Sequence, residues 1–378
     1  MLRLRVKTAG ASLLHRTGAD QLVGLLAGSR RAPLVLGYHR VVEDFEANAR
    51  TSIPAMLVSC RMLEAQLDWI GRRYSFVSVE DLLTHAASGA PFERPVAAVT
   101  FDDGYADVYE NAFPLLKRKG IPAAVFLVTD VVGTSRARVY DILYLLLVRG
   151  SPAARAGLIR RLADLGVPLP ADADRRVFGD PFTGMRFCFT TLPRAALVRV
   201  IEDLERQIPL EPSALQPLAA MTWDMVFEMR RAGFTIGSHT KRHMLLTNEA
   251  PDVVSDELDG SRRELERRLG APVPYFAYPD GRFNSAVVSA VAAAGYQLAF
   301  TTCHHRDAQY PMLTVPRRLL WEQSSTDTAS RFSPPLMSCH VNGIFDIISG
   351  CTQGHGGVSS ASPATRLEAA RDGTARAS

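Results

Sequence analysis

The chain has 378 residues, 47% of them apolar and 22% charged, a balance that excludes a miniprotein, a collagenous chain and a wholly disordered one. With 43 Lys and Arg against 39 Asp and Glu, the net charge of +4 offers no broad basic surface for nucleic acid. The five cysteines, at 60, 188, 303, 339 and 351, show no C-x-x-C spacing. Neither a disulfide framework nor a thiolate zinc site is indicated, and a reducing compartment is the simpler reading.

Residues 1–32 read as a basic helical lead, with Arg3, Arg5, Lys7, Arg16, Arg30 and Arg31 against the single acid Asp20. Its apolar stretches, Ala11 to Leu14 and Leu22 to Ala27, are too short for the centre of a cleaved signal. The lead is either a solvated surface helix or a weakly amphipathic segment resting on an anionic membrane face. No apolar run is long enough to span a bilayer, and the most apolar one, Val139 to Val148, carries Asp141. The expectation is a cytoplasmic protein, with peripheral contact to the inner membrane face through residues 1–31 as the further option.

From residue 33 onward, short β-rich runs alternate with helical patterns, the signature of parallel strands joined by helical crossovers. Strands are expected at Leu34 to Tyr38, Val96 to Phe101, Ala124 to Val128, Thr235 to Ser238, Tyr275 to Tyr278, Leu298 to Thr301 and Leu313 to Val315. Helices are expected at Ala106 to Lys119, Trp223 to Arg231, Val253 to Leu269 and Ser285 to Ala294, closed by Gly120, Gly233, Gly270 and Gly295 as left-handed caps. About 134–219 breaks the rhythm, being rich in Arg and Leu with prolines at 152, 168, 170 and 181, and reads as a helical insertion. The barrel-sized region thus covers 33–320, followed by a C-terminal extension, 321–378, expected to be disordered after about 350 where Gly, Ser, Ala and Thr dominate. No solenoid-type repeat is present.

Three runs carry chemistry. Val96 to Tyr105 is an apolar strand ending in Asp102, Asp103 and Gly104, where a turn can bring neighbouring carboxylates into one pocket or simply end the strand. Phe234 to His243 is a strand leading into His239 and His243, imidazoles four residues apart; two His and one Asp give three protein ligands and leave positions open for water and substrate. Tyr275 to Gly281 is a strand stopping at Pro279-Asp280-Gly281, a turn able to aim a backbone N–H at an oxyanion.

In this order, Thr100-Phe101-Asp102-Asp103-Gly104, His239-Thr240-x-x-His243 and Phe276-Ala277-Tyr278-Pro279-Asp280-Gly281 resemble the polysaccharide deacetylases of the NodB-homology type, carbohydrate esterase family 4. The Met221-Thr222-Trp223-Asp224 segment is also similar to that family, and the likeness runs from about 33 to 320, excluding much of the insertion. The resemblance implies an α/β fold, a deformed (β/α) barrel of about seven parallel strands, and metal-dependent removal of N-acetyl groups from amino sugars of a surface polysaccharide or exopolysaccharide. It implies one divalent ion, Zn2+ first and Co2+, Ni2+ or Mn2+ as alternatives, on Asp103, His239 and His243, with Asp102 as catalytic base. Tyr105, Pro279, Asp280 and Gly281 are then placed on the substrate and oxyanion side.

Two positions depart from the family pattern. The proton for the leaving amine is assigned to His39, in the Tyr38-His39 element that marks one subgroup, in preference to the late His340. The arginine usually found before the Pro-x-Gly turn is missing, and Arg317, in Pro316-Arg317, is expected to hold the base carboxylate in its stead. His15, His85, His304, His305 and His355 receive no role. The partner is an N-acetylated glycan or glycolipid. Alternatives are a deacylase of a polyprenyl- or lipid-linked sugar at the membrane, and a carbohydrate-binding or assembly barrel without turnover.

Overall fold

Val96–Phe101 is apolar at every position but Thr100, and all six residues are buried, as a strand covered on both faces of a parallel sheet requires. The computed structural model describes residues 2–26, 32–88, 92–349 and 355. In it this run is a central strand of a parallel sheet rolled nearly into a barrel, with helices packed around it. The strands are β1 (Leu34–Tyr38), β2 (Arg40–Val42), β3 (Leu57–Ser59), β4 (Ser75–Phe76), β5 (Val96–Phe101), β6 (Ala123–Leu127), β7 (Thr235–Ser238), β8 (Tyr275–Ala277), β9 (Leu298–Thr301), β10 (Val315–Pro316) and β11 (Arg318–Leu319). Their order in the main sheet is β10-β9-β8-β7-β6-β5-β1-β11, with β4 added beside the start of β5 and β2 pairing with β3 apart from the rest.

The last two strands are halves of one extended segment. Val315 and Pro316 pair with Phe300 and Thr301 of β9, whereas Arg318 and Leu319 pair with Leu36 and Gly37 of β1. The segment therefore bridges the two edges of the sheet, and Arg317 stands at the crossing. The expected strand Leu313 to Val315 begins later than the sequence suggests, because Pro311 opens a 3-10 turn through Leu313.

The helices 223–231, 251–269 and 285–293 lie where the apolar periodicity puts them. The stretch expected as one helix over 106–119 instead opens with a π-turn at Val108–Ala112 before regular helix at Phe113–Lys119. Pro114 has no N–H to donate to the preceding turn, and the wider turn accommodates it. Between residues 134 and 219 the described chain is helical, with segments Val139–Arg149, Pro152–Asp164, Pro181–Thr191 and Arg194–Glu205 sharing an apolar core of Leu143, Leu162, Phe187 and Val200.

Helices Leu2–Thr17 and Ala19–Leu26 pack on the helices Pro334–Val341 and Ile344–Ser349 through Ala11, Leu336, Cys339 and Ile344. The expectation of disorder after about 350 falls outside the described residues. Among those described, no helix is long and apolar enough to cross a membrane.

Candidate metal centre and active site

Strand register decides which side chains meet. Tyr38 of β1 lies opposite Phe101 of β5, and the Asp102 N–H donates to the Tyr38 carbonyl at 2.9 Å, so the strands end together at His39 and Asp102. Leu127 of β6 pairs with Ser238 of β7, and His239 N–H donates to the Leu127 carbonyl at 2.9 Å. The chemistry-bearing residues thus emerge at the carboxyl ends of neighbouring strands, the end where parallel barrels keep their sites.

The loops after these strands hold unusual backbone. Asp103, Thr240, His243 and Asp280 have positive φ (72°, 66°, 54° and 53°), and among the described residues Ser330 alone joins them as a non-glycine in that region. Such conformations cost about 1–3 kcal/mol each and persist where the surroundings enforce them. Gly104 is required: its φ is +67°, and a Cβ there would meet Leu127 Cδ2 at 2.6 Å. Gly281, with φ +64°, would bring a Cβ to 2.5 Å of the Thr302 backbone nitrogen.

Asp103, His239 and His243 come together, each buried, with one ligand atom apiece lying within 4.8 Å of the others. The His239 and His243 Nε2 atoms stand 3.6 and 3.3 Å from Asp103 Oδ1. His239 Nδ1 sits 2.7 Å from the Ala277 carbonyl; donating there fixes the tautomer and turns Nε2 toward Asp103. Both Asp103 carboxylate oxygens are buried without a hydrogen-bond donor. A buried carboxylate without donors is costly unless a cation meets it. One carboxylate and two imidazoles suit a divalent ion of the zinc type, so the donor set fits the implied metal. Burial, the largest influence, drives the His239 and His243 imidazoles down to about 4 and about 3, which keeps them neutral as ligation requires.

Arg317 grips Asp102 with both arms, Nη1 donating to Oδ1 at 2.7 Å and Nη2 to Oδ2 at 2.6 Å, and Nη1 also donates to Thr100 Oγ1 at 3.0 Å. Burial alone would raise the Asp102 carboxyl, but the Arg317 guanidinium and then His239 outweigh it and hold the group well below the usual carboxylate range. His39 lies near enough to act electrostatically on both Asp102 and His243. His340 belongs elsewhere: it packs against Trp321 and Phe345, with Lys7 and Arg318 as its charged neighbours.

Tyr105, expected on the substrate side, is tied by its hydroxyl to the helical insertion. It is fully buried, its hydroxyl donates to Asp141 Oδ2 at 2.7 Å, and the Tyr140 hydroxyl lies 3.0 Å away. The Arg138 guanidinium covers its ring at 3.7 Å and the Arg40 guanidinium lies 5.1 Å from it. Pro279 and Gly281 are buried too, while Asp280 is partly exposed and ion-paired with Arg186 at 3.2 Å and Arg282 at 2.9 Å. Those two guanidiniums outweigh the effect of burial and lower the Asp280 carboxyl.

Sequence reasoning missed the part played by the insertion. Buried Arg138 donates to the Asp103 carbonyl at 2.7 Å and to the Leu218 carbonyl at 2.8 Å, and covers the Tyr105 ring at 3.7 Å. The Tyr140 ring packs 4.7 Å from that of His243, and Phe189 stacks on the same imidazole at 5.7 Å. An acid at Asp141 inside an apolar helix was the available signal that buried polar partners were waiting.

A nearly closed parallel barrel thus gathers, at its strand ends, a carboxylate held by an arginine and an Asp-His-His cluster able to hold a divalent ion. The polysaccharide deacetylase family model matches residues 89–169 and 205–299, leaving out 170–204 in the middle of the helical insertion. This chain carries a polysaccharide deacetylase domain of the NodB-homology type. It is 28% identical over 114 residues to the poly-β-1,6-N-acetyl-D-glucosamine N-deacetylase of Staphylococcus epidermidis, covering 28% of this chain and 39% of that protein. Against the Staphylococcus aureus protein of the same name it is 32% identical over 108 residues, covering 26% of this chain and 37% of that one. The chain thus spans well under half the length of these curated relatives. The solved structure of IcaB from Ammonifex degensii has the same fold, with a TM-score of 0.50, 18% identity, and coverage of 82% of this chain and 97% of that one.

Proposed function

We propose that this protein removes N-acetyl groups from an amino-sugar polysaccharide of the N-acetylglucosamine type, using one Zn2+ held by Asp103, His239 and His243. The observation that carries the reading is the buried Asp-His-His cluster, with the Arg317-clamped Asp102 on the residue adjoining its carboxylate. The staphylococcal relatives, named as deacetylases of poly-β-1,6-N-acetylglucosamine, support that substrate class.

A divalent ion bound there lowers the pKa of water and polarises an acyl carbonyl. Asp102 takes the proton of the attacking water, and the paired hydrogen bonds from Arg317 keep its carboxylate ionised and aimed. In the Pro279-Asp280-Gly281 turn, the Gly281 and Arg282 N–H groups donate back to the Tyr278 and Pro279 carbonyls. The Asp280 N–H is then the donor left for the developing oxyanion. As the C–N bond breaks, His39 protonates the amine nitrogen, so that water and amide become acetate and a free amino sugar.

Arg317 also weakens the alternative of a binding barrel without turnover, because it supplies the clamp on Asp102 that the arginine missing before the Pro-x-Gly turn would otherwise give. The test is acetate release from β-1,6-linked N-acetylglucosamine oligomers with and without chelator. Release that stops with chelator and returns with added Zn2+ is expected. No release from any N-acetylated glycan by the metal-loaded protein would overturn the proposal.

A further inference from the structure

Helices Leu2–Thr17 and Ala19–Leu26 each have a face turned toward the C-terminal helix and a face turned away. On the first, Ala11 and Leu14 enter the contact and Lys7 lies over the Phe345 ring at 4.7 Å. On the second, Asp20 and Gly24 are buried and Val23 packs inward. What the outward faces carry is unusual for a protein surface. Val6 and Leu13, one heptad apart, are each 65% exposed, and Leu22, Leu25 and Leu26, at i, i+3 and i+4, are 56%, 57% and 79% exposed.

With Leu4, these make six of the seven exposed large apolar side chains among the described residues, Val148 being the seventh. Single exposed leucines need no explanation, but six gathered on one pair of helices do. The charge around them is one-sided. Arg5 and Arg16 are exposed, while the pair's one acid, Asp20, is buried and held by His15 at 2.9 Å. The outward surface thus offers apolar side chains and positive charge with no exposed carboxylate.

We infer that the outward face of this helix pair lies in the headgroup and acyl boundary of an anionic phospholipid bilayer, fixing the barrel to a membrane surface without spanning it. Leucines enter the acyl edge, and the arginines meet lipid phosphates. The inference stands apart from the proposed deacetylation, since it needs no metal and no sugar.

The test is flotation of the full chain with two kinds of vesicle, phosphatidylcholine alone and phosphatidylcholine with about one-quarter phosphatidylglycerol. Wild type is expected to float with the anionic vesicles, and less so at high salt, which screens the arginines. The double variant Leu13→Glu, Leu25→Glu should lose roughly tenfold or more of the bound fraction while keeping its far-UV circular dichroism. Val148→Glu, the exposed apolar position off the pair, should float as wild type does. Wild type that stays at the bottom of the gradient, or a double variant that floats equally well, overturns the inference. So does concentration-dependent dimerisation abolished by the double variant in protein that ignores vesicles, which would assign the face to a second copy.

Discussion

Asp102 and Asp103 are adjacent in sequence and separate in placement, because β5 ends at Phe101 and only Asp102 keeps a strand-type hydrogen bond, to the Tyr38 carbonyl. Asp102 receives the Arg317 fork, whereas Asp103, at φ 72°, turns its carboxylate toward the two imidazoles. Substitution should split the two roles. Asp103→Asn is expected to lose bound metal and activity together. Asp102→Asn should keep its metal, measured by elemental mass spectrometry, while turnover falls by roughly 10²–10⁴. Equal metal loss in both variants would mean that the pair acts as one ligand group. Arg317→Lys replaces the two-armed contact with a point charge, so turnover should fall at unchanged metal content and nearly unchanged KM. At this scale the gathering of Asp103, His239 and His243 was legible in the sequence, because each follows the end of a strand. The pairing of Arg317 with Asp102 needed the family pattern as a guide. The buried Arg138 and the partly exposed Arg186 were invisible as partners, since they meet Asp103 and Asp280 from 35 and 94 residues away.

Among the elements, the helical insertion matters more than its sequence announces. Arg138 at its opening supplies the hydrogen bond to the Asp103 carbonyl, and Tyr140 and Phe189 pack on the His243 ring, so the Asp-His-His cluster is enclosed jointly by barrel and insertion. Arg138→Met should therefore weaken metal binding by about 10–100-fold, read by chelator competition, although the side chain reaches no ligand atom. Unchanged affinity would reduce Arg138 to packing. The alternation of strand and helix was plain from apolar periodicity. The π-turn at Val108–Ala112 and the division of the closing strand around Arg317 were not, because each depends on a local constraint that overrides periodicity: Pro114 in the first, and pairing with two different edges in the second.

Across the whole molecule, the first and last helices form a joint that the family resemblance does not cover, and it encloses His340. Burial first, and then Lys7 and Arg318, push that imidazole down to about 3. In the unfolded chain it protonates near 6.5. The folded form therefore binds fewer protons between those values. The stability that neutral His340 contributes is full above about 6.5 and is lost as pH falls toward 3. Thermal melts should show His340→Gln losing less stability than wild type between neutral pH and about pH 4, by on the order of 1–3 kcal/mol. Parallel losses in the two proteins would remove His340 from the acid response. Composition revealed the basic lead but not its docking, since the apolar contacts of Ala11 and Leu14 are with residues more than three hundred positions away.

The most direct test of the whole is calorimetric titration of Zn2+ into metal-stripped protein, wild type beside His239→Ala. The barrel geometry predicts one tight site per wild-type chain and its loss in the variant, with both proteins folded. A wild type that takes up no ion, or a variant that binds as tightly, would contradict the assignment of Asp103, His239 and His243 to a common cation.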